Sequence, residues 1–380
     1  VRITDVEAIV VGEPLAGFDA TAWDGSQETV IIRVSTDAGI TGIGEVDSGP
    51  EVIRAIVESP ASHKSANGLR LLCLGEDPRE IGRLWHKCLR GTAYFGPGGA
   101  PVQAISGLEI ALWDIAGKVA GVPVSTLLGG AHRSHVPVYA STLTPSSPEE
   151  TAELVRTVAA QGFRAIKLGA GPLGTDPDYD VELVAAARAA APAGMAIMID
   201  VAMAWETTNH ALRMAKRLER YDLAFIEEPI WPDDIDAYAW LSRQSPVPIA
   251  AGEAESGEDR LLEMIQKRAV HVLQPDITRM GGLLAARRVI QAAERAGQEV
   301  ICHCWSTGII KAASLHVTAA SSHLRMLEYC VEDNPVQRSL VDQAFPVVDG
   351  QVAVPTGPGL GIAINEKTLN RHVRKSEVPA

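Results

Sequence analysis

The sequence predicts an α/β fold: a modified TIM barrel of seven or eight (β/α) units, with an N-terminal α+β capping domain that the C-terminal tail completes. Three observations predict it. From about residue 136, short apolar, β-branched runs alternate with stretches rich in Ala, Leu and Arg. The first ~130 residues lack that alternation. The segment 352–364 is rich in Gly and Pro and strand-like again.

The alternation is taken first. Candidate strands fall at 136–141, 165–169, 197–201, 225–228, 248–253, 272–276, 299–304 and 326–330. Helical stretches begin near Pro148, Asp178, Glu206, Asp234, Glu258, Gly282 and Thr307. Several of these starts carry Ser, Thr, Asp or Pro, which suit the first turn of a helix. Strands alternating strictly with helices form a parallel sheet, and eight units in this length imply closure into a barrel. An open doubly wound sheet is the competing arrangement, but no Gly-x-Gly-x-x-Gly follows the first strand. A chain of 380 residues suits a barrel of about 250 residues plus a smaller domain. In the capping part, 6–11 and 29–36 read as antiparallel strands, and a helix over 104–119 runs into Gly121-Val122-Pro123. The expected boundaries are 1–130 for the cap, 131–350 for the barrel and 351–380 for the returning tail.

Composition narrows the function. The net charge of −13 argues against nucleic acid, whose phosphates need a basic surface. A small carboxylate remains a possible substrate, because a bound cation can reverse the local field. The five cysteines are odd in number and suggest no disulfide framework, so reduced thiols in a cytoplasm are expected. No signal-peptide pattern opens the sequence, and no apolar run reaches the roughly 18 residues of a membrane span.

In such barrels functional groups sit at the C-terminal strand ends. There the sequence places Asp200, then Glu227 and Glu228, then Glu253. Taken singly, each acid would be an ordinary solvated loop residue. Three on successive strand ends converge, and converging carboxylates repel unless a cation sits among them. Hard oxygen ligands with room for water suit Mg²⁺. The next two strand ends carry Asp276 and His303. An Asp beside a His fixes the imidazole tautomer and raises its basicity, which makes His303 a general base or acid. Cys302 and Cys304 flank it, but adjacent side chains on a strand point to opposite faces, so no soft-metal site is expected. Lys167 on the second strand either points into the mouth to hold a carboxylate or is a solvated strand-end lysine. Glu328 on the eighth is a candidate hydrogen-bond partner for the substrate.

These residues together resemble the enolase superfamily, specifically its mandelate racemase subgroup, over essentially the whole chain. The most specific stretch is AISGLEIALWDIAGK at 104–118, followed by Pro123 and Leu127-Leu128-Gly129-Gly130. Ile226-Glu227-Glu228-Pro229, Gln274-Pro275-Asp276 with Gly281-Gly282, and His303 match in order and spacing. The resemblance implies Asp200, Glu227 and Glu253 as metal ligands, Asp276 and His303 as a dyad, Glu328 beside the substrate carboxylate, and Lys167 as the first lysine of a Lys-x-Lys. It also implies a homo-oligomer. Two positions depart from the pattern. Gly169 stands where the second lysine would be, and Ala202 where an Asn often follows the first ligand.

The departure at Gly169 removes a base from one face of the substrate. The expectation is therefore a Mg²⁺-dependent sugar-acid dehydratase, in which Lys167 and the metal hold the carboxylate and His303 serves both proton steps. The alternatives are a racemase or epimerase, another enolate-forming lyase or cycloisomerase, and a non-catalytic metal-binding scaffold. Loops containing Phe18, Asp19 and Trp23, and Asp47 and Ser48, are expected to face the substrate.

Overall fold

The computed structural model describes residues 1–12 and 28–374. Phe18, Asp19 and Trp23 lie outside the described residues. The chain opens with β1 (Ile3–Val11), β2 (Thr29–Thr36) and β3 (Thr41–Val46), an antiparallel sheet in that order. Helices α1 (Pro50–Glu58), α2 (Leu69–Cys73), α3 (Ile81–Gly91), α4 (Ala100–Ala120) and α5 (Val124–Leu127) follow. Strand β3 has no counterpart in the sequence reading. Gly42 and Gly44 weaken its strand signal, and the packing explains them: a Cβ at either would strike the α4 backbone, at Ala111 O and Gly107 O.

Eight parallel strands then alternate with helices. They are β4 (His135–Leu143), β5 (Ala165–Gly169), β6 (Ala196–Asp200), β7 (Leu223–Glu227), β8 (Ile249–Ala251), β9 (Val272–Leu273), β10 (Glu299–Val300) and β11 (Leu327–Cys330). Between them run α6 (Pro148–Ala160), α7 (Pro177–Ala190), α8 (Thr208–Leu218), α9 (Ile235–Gln244), α10 (Glu258–Lys267), α11 (Gly282–Ala296) and α12 (Gly308–Ala319). All eight predicted strands are present, shortened at several C-terminal ends where the chain turns toward the mouth. The helix starts follow local chemistry: Ser147, Asp176, Thr207, Asp234 and Thr307 each accept a backbone N–H in the first turn.

The pairing order is β10-β9-β8-β7-β6-β5-β4-β11. Among the described residues β10 and β11 share no ladder. A side chain spans that seam, with the Cys304 N–H donating to Glu328 Oε2 at 2.8 Å. After β11 the eighth unit has only the five-residue α13 (Pro335–Ser339) in place of a full helix.

The tail differs from the expected strand over 352–364. Only β12 (Gln351–Ala353) is a strand, and it pairs antiparallel with β4 at the barrel base. Pro355 and Pro358 lack the N–H that a longer ladder needs. Beyond them the chain returns to the N-terminal elements. The Gly359 N–H donates to Val122 O, and the Arg374 N–H to Val10 O, after α14 (Glu366–His372). No helix among the described residues is long and apolar enough to cross a membrane.

Inside the barrel, side chains form layers set by the period-two alternation of each strand. Tyr139, Ala165, Met198, Phe225, Ala250, Val272 and Ile301 form an apolar plug. Two residues further along most of these strands, toward the mouth, stand Ser141, Lys167, Asp200, Glu227, Gln274 and His303. The apolar layer closes the floor, and the polar layer above it is the site.

Candidate active site

Asp200, Glu227 and Glu253 offer carboxylate oxygens that lie within 4.8 Å of one another. Strand register brings the first two together, because Asp200 pairs with Glu227 across β6 and β7. Glu253 joins them from the turn after β8, where Gly252 takes φ +137° and packs against the Gln274 backbone. Burial and mutual repulsion push the three carboxyls up, Asp200 to about 7, Glu227 to about 8 and Glu253 to about 7. Glu228 completes the acidic surface. Its φ of +39° breaks the strand alternation, and burial followed by the charges of Asp200 and Glu227 raises it to about 8.

Lys167 is 2% exposed, with Nζ 2.6 Å from Glu227 Oε1, 2.8 Å from Glu328 Oε1 and 3.9 Å from Asp200 Oδ2. Of the two readings open in the sequence, the solvated lysine is excluded. The carboxylates it holds here are the protein's own. Glu328 spans the floor of the site from Lys167 to His303, whose Nε2 lies 3.9 Å from Glu328 Oε2. Burial would raise the Glu328 carboxyl, but Lys167 and then His303 outweigh it and hold it at about 2.

His303 Nδ1 meets Asp276 Oδ2 at 2.6 Å, and Nε2 points to Glu253 Oε2 at 3.4 Å. Burial disfavours the imidazolium, but Glu253, Glu328 and Asp276 together raise its pKa well above the ordinary value. Cys302 and Cys304 are fully buried in the core outside the barrel, facing away from the site as the alternation requires.

Other residues belong to this constellation without a role having been read from the sequence. Gln274 Nε2 donates to Glu227 Oε2 at 2.6 Å, so Lys167 and Gln274 clamp one carboxylate from both sides. Thr278 donates both its N–H and its hydroxyl to Asp276 Oδ1, each at 2.6 Å, leaving Oδ2 for the imidazole. Gln274 and Ser141 share the inward face with residues that were identified, so strand alternation was the signal that pointed to them. The 47–48 segment reaches the same wall. The Asp47 N–H donates to Thr278 Oγ1, a carboxylate oxygen of Asp47 lies near Asp276 and His303, and Ser48 donates to Gln103 Oε1.

The two departures have local explanations. Gly169 faces the mouth one step above Lys167, and a Cβ there would meet only ordinary contacts, Thr142 O at 3.5 Å and Asp200 Oδ2 at 3.7 Å. The position is empty by composition, not by steric need. Ala202 adopts φ +45°, the left-handed region that Asn tolerates better than Ala. Its N–H still donates to Asp200 Oδ1 at 2.8 Å, so a backbone donor helps to orient the carboxylate.

The donor set fits a hard divalent cation. Three carboxylates converge, and the buried oxygens Glu253 Oε2 and Glu228 Oε1 have no hydrogen-bond partner among the described residues. Such oxygens are costly unless a cation or proton satisfies them.

Comparison with known proteins agrees with this geometry. Residues 150–368 match the family model described as enolase C-terminal domain-like. Residues 9–129 match the mandelate racemase / muconate lactonizing enzyme N-terminal domain. The D-galactarolactone cycloisomerase of Agrobacterium fabrum is 30% identical over 355 residues, covering 90% of each chain. The D-xylonate dehydratase of Haloferax volcanii is 29% identical over 394 aligned positions, covering 99% of this chain and 93% of its own. The crystal structure of a racemase from Streptomyces coelicolor A3(2) with bound magnesium superposes with a TM-score of 0.86 at 28% identity, covering 98% of this chain and 100% of that one. Matched along both its parts, the chain belongs to the enolase superfamily, in its mandelate racemase subgroup.

Proposed function

We propose that the protein is a Mg²⁺-dependent dehydratase of a sugar acid, a lyase that converts a polyhydroxylated carboxylate to a 2-keto-3-deoxy acid. The observation that carries this reading is the asymmetry of the mouth. The His303–Asp276 pair stands on one side, and the inward position at Gly169 carries no side chain. Relatives named as sugar-acid dehydratases supply the substrate class.

Asp200, Glu227 and Glu253 would hold the cation, with Lys167 and Gln274 keeping Glu227 in place. A divalent cation held there would supply positive charge to stabilise negative charge developing on the substrate, and would offset the Glu253 charge that, with Glu328 and Asp276, raises the His303 pKa. His303, oriented by Asp276, removes the α-proton. It then returns that proton to the β-hydroxyl as water departs, so proton and hydroxyl leave from one face. The enol left behind tautomerises to the keto acid. Lys167 adds positive charge beside the substrate carboxylate.

Replacing His303 by Asn is expected to lower dehydration by about a thousandfold and to abolish exchange of the α-proton with solvent deuterium. Exchange that persists in this variant would show another base at work. A second reading has support from the cycloisomerase among the relatives: the same α-proton abstraction can expel a ring oxygen in place of a hydroxyl. Product mass separates the two, since dehydration loses water and cycloisomerisation does not.

A further inference from the structure

The eighth barrel unit leaves a cavity that the reaction does not use. In the seven preceding units a helix of 10 to 15 residues covers the outer face of the sheet. After β11 the five-residue α13 and an irregular segment take that place. The result is a cavity of ≈ 480 Å³ on the outside of the barrel, bounded by α12, β11 and residues 341–347. Its apolar walls include Phe163, Tyr329, Val331, Val341 and Phe345.

Lys311, in the first turn of α12, lines this cavity although it is only 8% exposed. Its Nζ sits 4.3 Å from the centroid of the Tyr329 ring and donates to Cys330 O at 3.2 Å. Its remaining donors have no partner among the described residues, and it makes no ion pair there. The single carboxylate lining the cavity is Glu332, whose Oε1 already accepts from the Thr142 hydroxyl and the Leu143 N–H. Arg338, at the rim, is paired with Asp333. A buried ammonium facing a cavity walled partly by apolar side chains and partly by Gln161, Gln337 and Gln343 lacks the counter-charge that buried ions require. The ring face and one carbonyl meet part of that requirement.

From this we infer that the cavity is a second binding site, selective for a small monocarboxylate with an apolar body, the anionic head on Lys311 and the body against Phe163, Val341 and Phe345. It is separate from the mouth, because Tyr329 and Lys311 lie outside the barrel wall whose inner face carries Glu328.

Hexanoate is a suitable probe, with hexan-1-ol and inorganic phosphate as controls, titrated by calorimetry into the full-length protein with Mg²⁺ and again after its removal. Expected are saturable hexanoate binding in both conditions, at least about tenfold weaker binding of both controls, a loss of about tenfold or more in Lys311→Met, and retention in Lys311→Arg. Circular dichroism and dehydratase activity report whether the variants fold. No hexanoate binding, equal binding of hexanol or phosphate, binding that survives Lys311→Met, or binding that disappears with Mg²⁺ would each overturn the assignment. A folded Lys311→Arg that fails to bind would also count against it. Failure of the dehydratase assay would leave this result untouched, since the two sites share no residue.

Discussion

Two sets of buried carboxylates teach opposite lessons. Glu45, Glu109 and Asp114 belong to the N-terminal part and are almost wholly inaccessible. Asp200 and Glu253, at the barrel mouth, keep 17% and 26% of their side chains exposed. Burial alone therefore does not separate the sets, since Glu227 at the mouth is as inaccessible as Glu109. The difference lies in what the oxygens meet. Glu45 accepts from the Thr29, Ser306 and Thr307 hydroxyls and from the N–H groups of Thr307 and Ile310, at the start of α12. Glu109 accepts from the Leu283 and Leu284 N–H groups at the start of α11, and from the Trp113 indole. Asp114 accepts from the Ile43 and Leu360 N–H groups and from Lys118. Glu45 and Glu109 take up backbone donors that helix starts leave unsatisfied and fasten the N-terminal elements to the barrel, whereas Asp114 ties α4 to β3 and to the returning tail. At the mouth Glu227 is held by Lys167 and Gln274, but Glu253 Oε2 and Glu228 Oε1 have no donor among the described residues. The structural acids are satisfied by the protein itself; part of the mouth set is complete only with something added.

The largest expected effect breaks the mouth set. Asp200→Asn removes one ligand and one charge. Divalent-metal affinity should fall by more than about a hundredfold, and turnover by about a thousandfold. The metal-free variant should melt no lower than the metal-free parent, because like-charge repulsion is relieved. Calorimetric metal titration and thermal melts in chelator measure both. A variant that loses stability as well as metal would mean that Asp200 behaves like Glu109.

Next comes pH. The folded-state carboxyls of Asp200, Glu227 and Glu253 titrate at about 7, 8 and 7, above their ordinary values. Their contribution to the stability of the metal-free protein is fully present below the unfolded pKa and is lost as pH rises through the folded values, from about pH 4 to 8. Metal binding runs the other way, because each ligand must shed its proton. Affinity should drop as pH falls from 8 to 6. Urea unfolding in chelator at pH 6 and 8, beside metal titrations at the same two values, should show these opposite slopes. Parallel slopes would remove the mouth carboxylates as the cause.

A smaller effect tests the structural set. Glu109→Gln places an amide N–H₂ against donors that need acceptors, and should cost about 1–3 kcal/mol. Urea midpoints measure the loss, and turnover per folded molecule should stay near the parent value.

The sequence carried much of this site and little of the satisfaction that separates the two sets. Strand alternation and strand-end position located Asp200, Glu227, Glu253, Asp276 and His303, because those signals are local and periodic. Glu109 lies inside a recognisable run at 104–118, yet its backbone donors are 174 and 175 residues away. No local pattern announces such a contact. Strand β3 was hidden for a related reason: its glycines reflect the close approach of α4, a tertiary demand that reads locally as a weak strand. Strand-end position also points Lys167 toward the mouth, but its contacts with Glu227 and Glu328 depend on three strands meeting in register.

The finest test adds a charge to the mouth at the position where the chain departs from its family's pattern. At Gly169 a Cβ would meet nothing closer than 3.5 Å, so Gly169→Lys starts without a backbone clash, and a thermal melt checks that the variant folds. The new side chain faces the mouth one step beyond Lys167, and its ammonium can answer the unpaired acids around Asp200. In the one-base reading it also supplies what the parent lacks, a proton carrier on the face away from His303. The parent should incorporate α-deuterium from one face only. The variant should label from both, with dehydration reduced by no more than about tenfold. Labelling from both faces in the parent would mean that a base other than His303 already operates there, and the empty position at Gly169 would then no longer account for the choice of elimination.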